Sequence, residues 1–284
     1  MRKTALSSLP PEWQTWVVDN LARDCTPDSM ARVMVDDGRF DRTLAQAAIE
    51  EARRARSDLQ AVMRDEARPM PDIDTAANTI FTPDRRVDVL LSLNSPRIVL
   101  LGNVLSEEEC DALAAHCDAR WARSPVVAEG DGGNQVHAHR TSRGAMLRRS
   151  ETELIARIED RLARLARWPV ERGEGMQVLR YETGNEYRAH YDWFDPELPG
   201  PRKHLEHGGQ RVGTFVIYLN DVEQGGGTAF PSLGLEVQPK KGGAVFFANT
   251  DAHGAPDRHT LHAGMPVVKG VKMVANKWLR ERPY

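Results

Sequence analysis

The chain has 284 residues, 40% hydrophobic and 28% charged, a composition that excludes a fibre or a disordered tail and predicts one large or two modest domains. Its 38 Lys plus Arg against 41 Asp plus Glu leave a net charge of -3. No overall field of that size holds nucleic acid or an anionic membrane surface, so neither is expected as a partner.

The opening MRKTALSSLPPEWQTW has a basic start but no apolar stretch of signal-peptide length, and no run of roughly 18 apolar residues follows anywhere. Cys25, Cys110 and Cys117 make neither a disulfide framework nor a Cys-x-x-Cys metal knuckle, which fits a reducing compartment. The expectation is a soluble, cytoplasmic protein. Trp13, Trp16, Val17 and Leu21 recur at helical spacing behind Pro10 and Pro11, predicting a helix near 11–23. A second helix begins after Thr26, whose hydroxyl caps it ahead of Pro27, and turns Met30, Val33 and Met34 to one side before Gly38 ends it. A third runs from about Asp41 through Leu44, Ala48 and Ala52 until Pro69 and Pro71 stop it. Residues 71–94 read as a linker with one short strand inside. Residues 1–95 are therefore expected as a helical extension and linker without chemistry, in which Trp13 and Trp16 pack on the neighbouring helices and Cys25 is a buried filler.

Beyond Arg97 the periodicity shortens toward two. IVLLG reads as a strand, and Ser106 with Glu109 has capping-box spacing ahead of a helix over about 107–121. Residues 124–145 read as a loop or ragged strands, and Leu154, Ile155, Ile158, Leu162 and Leu165 mark another helix. Strands are predicted at 176–181, 188–194, 212–219, 227–230, 243–249 and 271–279. Short strands joined by Gly-rich turns argue for two facing antiparallel sheets within an α+β fold. The glycines at 225–227 lack the Lys-Ser/Thr of a nucleotide loop and read as a turn between strands.

His190 and Asp192 are separated by one residue on a predicted strand, so both project from the same face and can reach one ion. One imidazole and one carboxylate suit Fe(II), with a third ligand completing a facial triad that keeps open positions. The plainer reading is an ordinary hydrogen-bonded pair. For the third ligand we choose His262 over His253 and His259. The pairs His137/His139 and His204/His207 lack a matched carboxylate and are expected in solvated loops. Cys110 and Cys117, about two helical turns apart, are expected to serve helix packing. Lys272, on the closing strand, can aim its amine at the same cavity as an anion receptor, and Tyr181 can donate a hydrogen bond to the same remote carboxylate. A surface lysine and a core-edge tyrosine are the alternatives.

The ordered set RTSRG at 140–144, LRYETGNEYRAHYDWFD at 179–195, VGTFVIYLNDVEQGGGTAFP at 212–231, KKGGAVFFAN at 240–249 and HAGMPVVKGVKMVANKWLR at 262–280 resembles the prolyl 4-hydroxylase-like family of iron and 2-oxoglutarate dependent dioxygenases. The resemblance implies a double-stranded beta-helix (jelly-roll) core over residues 96–284. It implies His190, Asp192 and His262 as metal ligands, Lys272 on the far carboxylate of 2-oxoglutarate with Tyr181 in support, and Thr214 and Trp278 beside the cosubstrate. It also sets Arg140, Thr141 and Ser142 close to substrate or cosubstrate, with strand-edge structure as the alternative. Fe(II), 2-oxoglutarate and dioxygen are the expected cofactor and cosubstrates, with ascorbate a candidate reductant. The expected reaction is hydroxylation of an unactivated C–H bond on a prolyl residue of a peptide or protein. Its rivals are a free amino acid or other small metabolite as substrate, a noncatalytic protein-binding module, and a zinc hydrolase for which no general base is placed. The insertion at 193–211 reads equally as a lid or as a solvated hairpin.

Overall fold

Two periodicities in one chain produce two structural units. The computed structural model describes residues 4–23, 25–66, 68–123, 126–127, 134–135 and 141–284, and the chain divides after residue 67. Arg140, His137 and His139 lie outside the described residues. Among the described residues no helix is long and apolar enough to cross a membrane.

The first unit consists of α1 (Pro11–Ala22), α2 (Pro27–Asp36) and α3 (Arg42–Glu66). Thr26 Oγ1 accepts a hydrogen bond from Ser29 N at 3.3 Å, and Asp41 Oδ1 accepts from Thr43 N at 2.8 Å, so the starts of α2 and α3 each find a side-chain acceptor for a free amide, while α1 begins at a proline pair with no side-chain cap. Val17, Leu21, Met30, Met34, Ala45, Ala48 and Ile49 form its core. Trp13 packs against Trp16 and Phe40, each at 5.2 Å between ring centroids, so both tryptophans serve this core as expected.

The second unit contains β1 (Thr79–Phe81), β2 (Arg86–Asn94), β3 (Arg97–Gly102), α4 (Glu107–His116), β4 (Ala122–Arg123), β5 (Val126–Val127), β6 (Asn134–Gln135), β7 (Arg143–Leu147) and α5 (Glu153–Leu165). It continues through β8 (Met176–Tyr181), β9 (Tyr187–His190), α6 (Pro199–Glu206), β10 (Arg211–Tyr218), β11 (Gln224–Gly225) and β12 (Thr228–Phe230). It closes with β13 (Leu235–Val237), β14 (Ala244–Ala248), β15 (His262–Gly264), β16 (Val267–Lys269) and β17 (Lys272–Arg280). Nine strands pair in the order β1-β2-β3-β14-β10-β17-β8-β7-β4 and four in the order β13-β12-β15-β9. All of these pairings are antiparallel.

The large sheet is covered on both faces, which is why its central strands are apolar throughout. Phe215, Ile217, Ala244 and Phe246 pack with Cys110 and Leu113 of α4 and with Ile155, Ile158, Leu162 and Leu165 of α5. The alternate residues Val216, Tyr218, Val245 and Phe247 meet Phe230 of β12, Val237 of β13 and Val267 of β16. The result is a mixed helix and antiparallel-sheet fold, consistent with a jelly-roll core. Ser106 Oγ accepts from Glu109 N at 3.1 Å while Glu109 Oε2 accepts from Ser106 N at 3.0 Å, so the capping box forms at α4. The same Glu109 receives two 2.8 Å bonds from the buried Arg161 guanidinium, which ties α4 to α5.

Several expectations change. The supposed linker at 71–94 holds β1 and β2, and β2 pairs with β3 inside the large sheet, so the second unit begins at Arg68 rather than near residue 96. Leu90, an exposed leucine at the register shift between Val89 and Leu91, disguises that period-two pattern. The helix expected to reach residue 121 stops at His116 and continues as a short 3-10 turn, Asp118–Arg120. The strand expected over 188–194 ends at His190, and the insertion after it contains α6. The glycine-rich segment does turn the chain, with Gly225 and Gly226 at φ of 76° and 71°.

Leu162 is fully buried in the interface between α5 and the sheet. Leu162→Ala is expected to lower the unfolding free energy by about 2–5 kcal/mol, measured by urea denaturation followed by circular dichroism. A loss below about 1 kcal/mol would show that α5 contributes little to this core.

Candidate metal and cosubstrate site

The site forms where the small sheet meets the large one. β9 and β15 are neighbours in the small sheet, and their register makes His190 and His262 direct cross-strand partners. His190 Nδ1 lies 2.8 Å from Arg188 O, and His262 Nδ1 lies 2.9 Å from Thr260 O. A carbonyl oxygen only accepts, so each Nδ1 carries the proton and donates, which puts the ring lone pair on each Nε2. Those Nε2 atoms lie 3.7 Å from Asp192 Oδ1 and 3.7 Å from Asp192 Oδ2 respectively. One donor atom from each residue falls within 4.8 Å of the others. Tyr187 stacks on His190 at 3.6 Å, and Phe247 packs on His262 at 4.7 Å, limiting ring rotation.

Asp192 reaches this point from beyond the end of β9, so strand alternation alone does not orient it. Thr214 Oγ1 donates to Asp192 Oδ2 at 2.9 Å and accepts from Asn249 Nδ2 at 2.9 Å, a two-step relay from β10 and the end of β14 that fixes the carboxylate. Burial pushes the Asp192 carboxyl up. The facing His262 and His190, then Arg211 and the Trp278 indole, outweigh it and hold the pKa at about 2. The group is therefore an anion at neutral pH, as metal ligation requires. Trp278 Nε1 is itself buried and has no partner within ordinary hydrogen-bond geometry. It nevertheless lies near enough to Asp192 to favour the charged carboxylate.

A second element of the site lies on the large sheet. Lys272 of β17 pairs in register with Tyr181 of β8, and its Nζ stands 5.6 Å from the Tyr181 ring centroid. Its side chain is buried, with no hydrogen bond or ion pair among the described residues. Burial pulls its pKa down to about 8 against a weaker opposing pull from Glu236. A buried cation in that state is satisfied by an anionic ligand. Gly264 lies beside it, where a Cβ would make only ordinary contact with Lys272 Nζ at 3.9 Å. Two nitrogen donors and one oxygen donor, with a buried cation that has no ion-pair partner among the described residues, fit an iron ion and a dicarboxylate.

Thr141 is engaged elsewhere: its hydroxyl accepts from Glu186 N at 2.9 Å and donates to Glu186 O at 3.3 Å. Ser142 is fully buried with an unpartnered Oγ, one residue before Arg143, whose register partner Arg180 adjoins Tyr181. His259 is exposed and paired with Asp257 at 3.0 Å, and His253 is exposed in a turn, so neither joins the cluster. His204 stacks on Phe194 and His207 contacts the Tyr284 ring. Cys110 and Cys117 lie in the helix-packed core. Asn249 was not singled out in the sequence, although it continues the face of Val245 and Phe247 on the β14 side. Arg211, whose guanidinium lies 3.9 Å above the Trp278 ring, was also missed because its neighbours come from distant segments.

Residues 176–280 match the 2OG-Fe(II) oxygenase superfamily, a span that contains His190, Asp192, His262, Lys272, Tyr181, Thr214 and Trp278. The class of protein is thereby a 2-oxoglutarate-dependent dioxygenase, which uses Fe(II), 2-oxoglutarate and dioxygen. Over 202 residues the chain is 39% identical to prolyl 4-hydroxylase 5 of Arabidopsis thaliana, covering 64% of this chain and 68% of that protein. Probable prolyl 4-hydroxylase 3 of the same plant is 36% identical over 208 residues, covering 66% and 71%. A viral collagen prolyl hydroxylase from Paramecium Bursaria Chlorella virus-1 superposes with a TM-score of 0.51 at 29% identity, covering 64% of this chain and 95% of that one. The chain belongs to the prolyl 4-hydroxylase-like family of 2OG-Fe(II) oxygenases.

Thr214→Val keeps the side-chain shape but removes the donor to Asp192. It is expected to weaken Co(II) binding, used as an inert stand-in for iron, by about tenfold in calorimetry. An unchanged affinity would show that the relay does not orient the ligand.

Proposed function

We propose that this chain hydroxylates prolyl residues in a peptide or protein, with His190, Asp192 and His262 as iron ligands and Lys272 as the receptor for the far carboxylate of 2-oxoglutarate. The single observation that carries the reading is the convergence of donor atoms from His190, Asp192 and His262 within 4.8 Å of one another, in a chain 39% identical to a prolyl 4-hydroxylase. When bound, iron and 2-oxoglutarate supply the oxidising chemistry, converting dioxygen and cosubstrate into succinate, carbon dioxide and one oxygen atom for the target carbon. The chain's own residues bind, orient and desolvate. The two Nδ1 hydrogen bonds fix the imidazole tautomers. Thr214 and Asn249 hold the carboxylate. Lys272 fixes the far end of the cosubstrate with Tyr181 and Ser142 beside it, and Trp278 borders the ligand carboxylate. The apolar neighbours Phe230 and Phe247 exclude water around His262.

Catalysis is assigned to the unit from Arg68 to Tyr284, with the three-helix unit as an extension. A jelly-roll reading of the core is supported by the two-sided burial of the large sheet. A reducing cytoplasmic setting is supported by three free cysteines, with burial pushing Cys110 and Cys117 up to about 11. Ascorbate is included as the reductant in the test.

Purified protein with Fe(II), 2-oxoglutarate, ascorbate and proline-containing peptides is expected to yield succinate together with peptide carrying one added oxygen on proline, read by mass spectrometry. Free proline forms the comparison arm. Succinate with no oxidised proline in any arm would sink the prolyl assignment and leave the cosubstrate assignment standing. His190→Ala and Asp192→Ala are each expected to abolish turnover.

The charge state of Lys272 gives a pH test. A lysine with a pKa lowered to about 8 is cationic below that pH and neutral above it. Affinity for 2-oxoglutarate is therefore expected to be flat below about pH 7.5 and to fall as pH rises through about 8, by up to tenfold per unit. Lys272→Met should bind weakly at every pH, with that slope abolished. A wild-type affinity unchanged between pH 7 and 9 would contradict the assigned contact.

A further inference from the structure

Glu174, just before β8, is a buried carboxylate shared by two guanidinium groups. Arg211 at the start of β10 donates to it through Nε at 2.6 Å and Nη2 at 2.9 Å, and Arg280 at the end of β17 donates through Nη1 at 3.0 Å. The side chains of Glu174 and Arg280 are 8% and 2% exposed, so these charges survive only because they compensate one another. Two cations against one anion leave an excess positive charge, and Asp192 is the second anion that Arg211 meets, through the field rather than by a hydrogen bond. The Arg211 plane lies 3.9 Å from the Trp278 ring centroid and 4.7 Å from that of Phe194. Arg211 is thus held edge-on by Glu174 while its guanidinium lies over the indole of Trp278, the cross-strand partner of Thr214, whose hydroxyl donates to Asp192.

The other guanidinium reaches the insertion. Arg280 Nη2 donates to His204 O and His207 O, and Arg282 Nη2 donates to Leu205 O at 3.0 Å, so the free carbonyls at the C-terminal end of α6 are capped by cations. Phe194, two residues past Asp192, is fixed at both its N–H and its carbonyl by Gln210, at 2.8 Å each, and its ring stacks on His204. The insertion is therefore anchored at its root and at its helix end.

We propose that the Glu174–Arg211–Arg280 cluster is a positioning device with two arms: Arg211 holds the Trp278 indole against the Asp192 ligand, and Arg280 seats the α6 cap beside the same wall of the site. Neither arginine takes part in the chemistry; both act through the residues they hold. The inference rests on the metal-ligand reading given above.

The test is Co(II) affinity measured by calorimetry, together with trypsin cleavage mapped by mass spectrometry at the exposed Arg202 and Lys203 of α6. Arg211→Lys keeps the charge but loses the two-pronged contact and the planar face, and Trp278→Phe keeps the ring but loses the N–H. Each is expected to weaken Co(II) binding by about tenfold, and the double variant should be no weaker than either single one, since both remove the same contact. Arg280→Lys should accelerate cleavage at Arg202 or Lys203 several-fold while leaving Co(II) affinity unchanged. Wild-type Co(II) affinity in Trp278→Phe, or full additivity in the double variant, would overturn the first arm. Unchanged cleavage in Arg280→Lys would overturn the second. If Arg211→Lys does not fold, Trp278→Phe carries the first arm alone. His262→Ala distinguishes the failures: if it binds Co(II) like wild type, the ligand assignment itself is wrong.

Discussion

Everything at the site depends on one antiparallel pairing. β9 and β15 bring His190 and His262 opposite each other, although 71 positions separate the two numbers along the chain. Each ring then bonds to a carbonyl two residues before it on its own chain segment, so the fold sets ring position and tautomer by the same local geometry on both strands. A slip of one residue in this register would send one imidazole to the opposite face of the small sheet. The pairing is kept in place because the small sheet is pressed onto the large one by Phe230, Val237 and their partners.

The distribution of buried charge explains how the two ends of the cavity differ. At the metal end, every charged group is compensated: Asp192 faces two imidazoles, receives a hydrogen bond from Thr214 and lies in the field of Arg211, which is neutralised in turn by Glu174. At the opposite end Lys272 is buried beside glycine with no ion-pair partner among the described residues. Leaving a cation in that condition costs stability unless a ligand supplies the missing charge. The asymmetry supports the proposed role of Lys272 as receptor for one end of a dianionic cosubstrate.

The helices have a separate task. α4 and α5 cover the face of the large sheet turned away from the ligands, and Arg161 locks them together through Glu109. With both faces of β10, β14 and β17 buried, the side chains that alternate inward from those strands are held in one arrangement. Thr214, Lys272 and Trp278 all project from this sheet, whose rigidity sets the distances on which binding depends.

Local pattern was sufficient for a large part of the fold. The helix starts at Thr26 and Ser106 follow from hydroxyls one turn ahead of free amides, and strands such as Met176–Tyr181 follow from short apolar runs bounded by turn residues. The ligand set was legible only through the resemblance carried by the ordered motifs at 179–195, 212–231 and 262–280, since the His-x-Asp spacing by itself fits an ordinary hydrogen-bonded pair. What local pattern missed were features made by partners far apart in the chain. β2 was hidden because the exposed Leu90, at the register shift between Val89 and Leu91, interrupts its alternation, and its strand character depends on pairing with β3. Asp192 sits past the end of its strand, so its aim comes from Thr214 and Asn249. The sequence by itself determined which residues could donate to a metal and the elements that carry most of them. Only the tertiary structure decided that they meet, since a shared ion site is set by sheet register and long-range hydrogen bonds, neither of which is written in the spacing of adjacent residues.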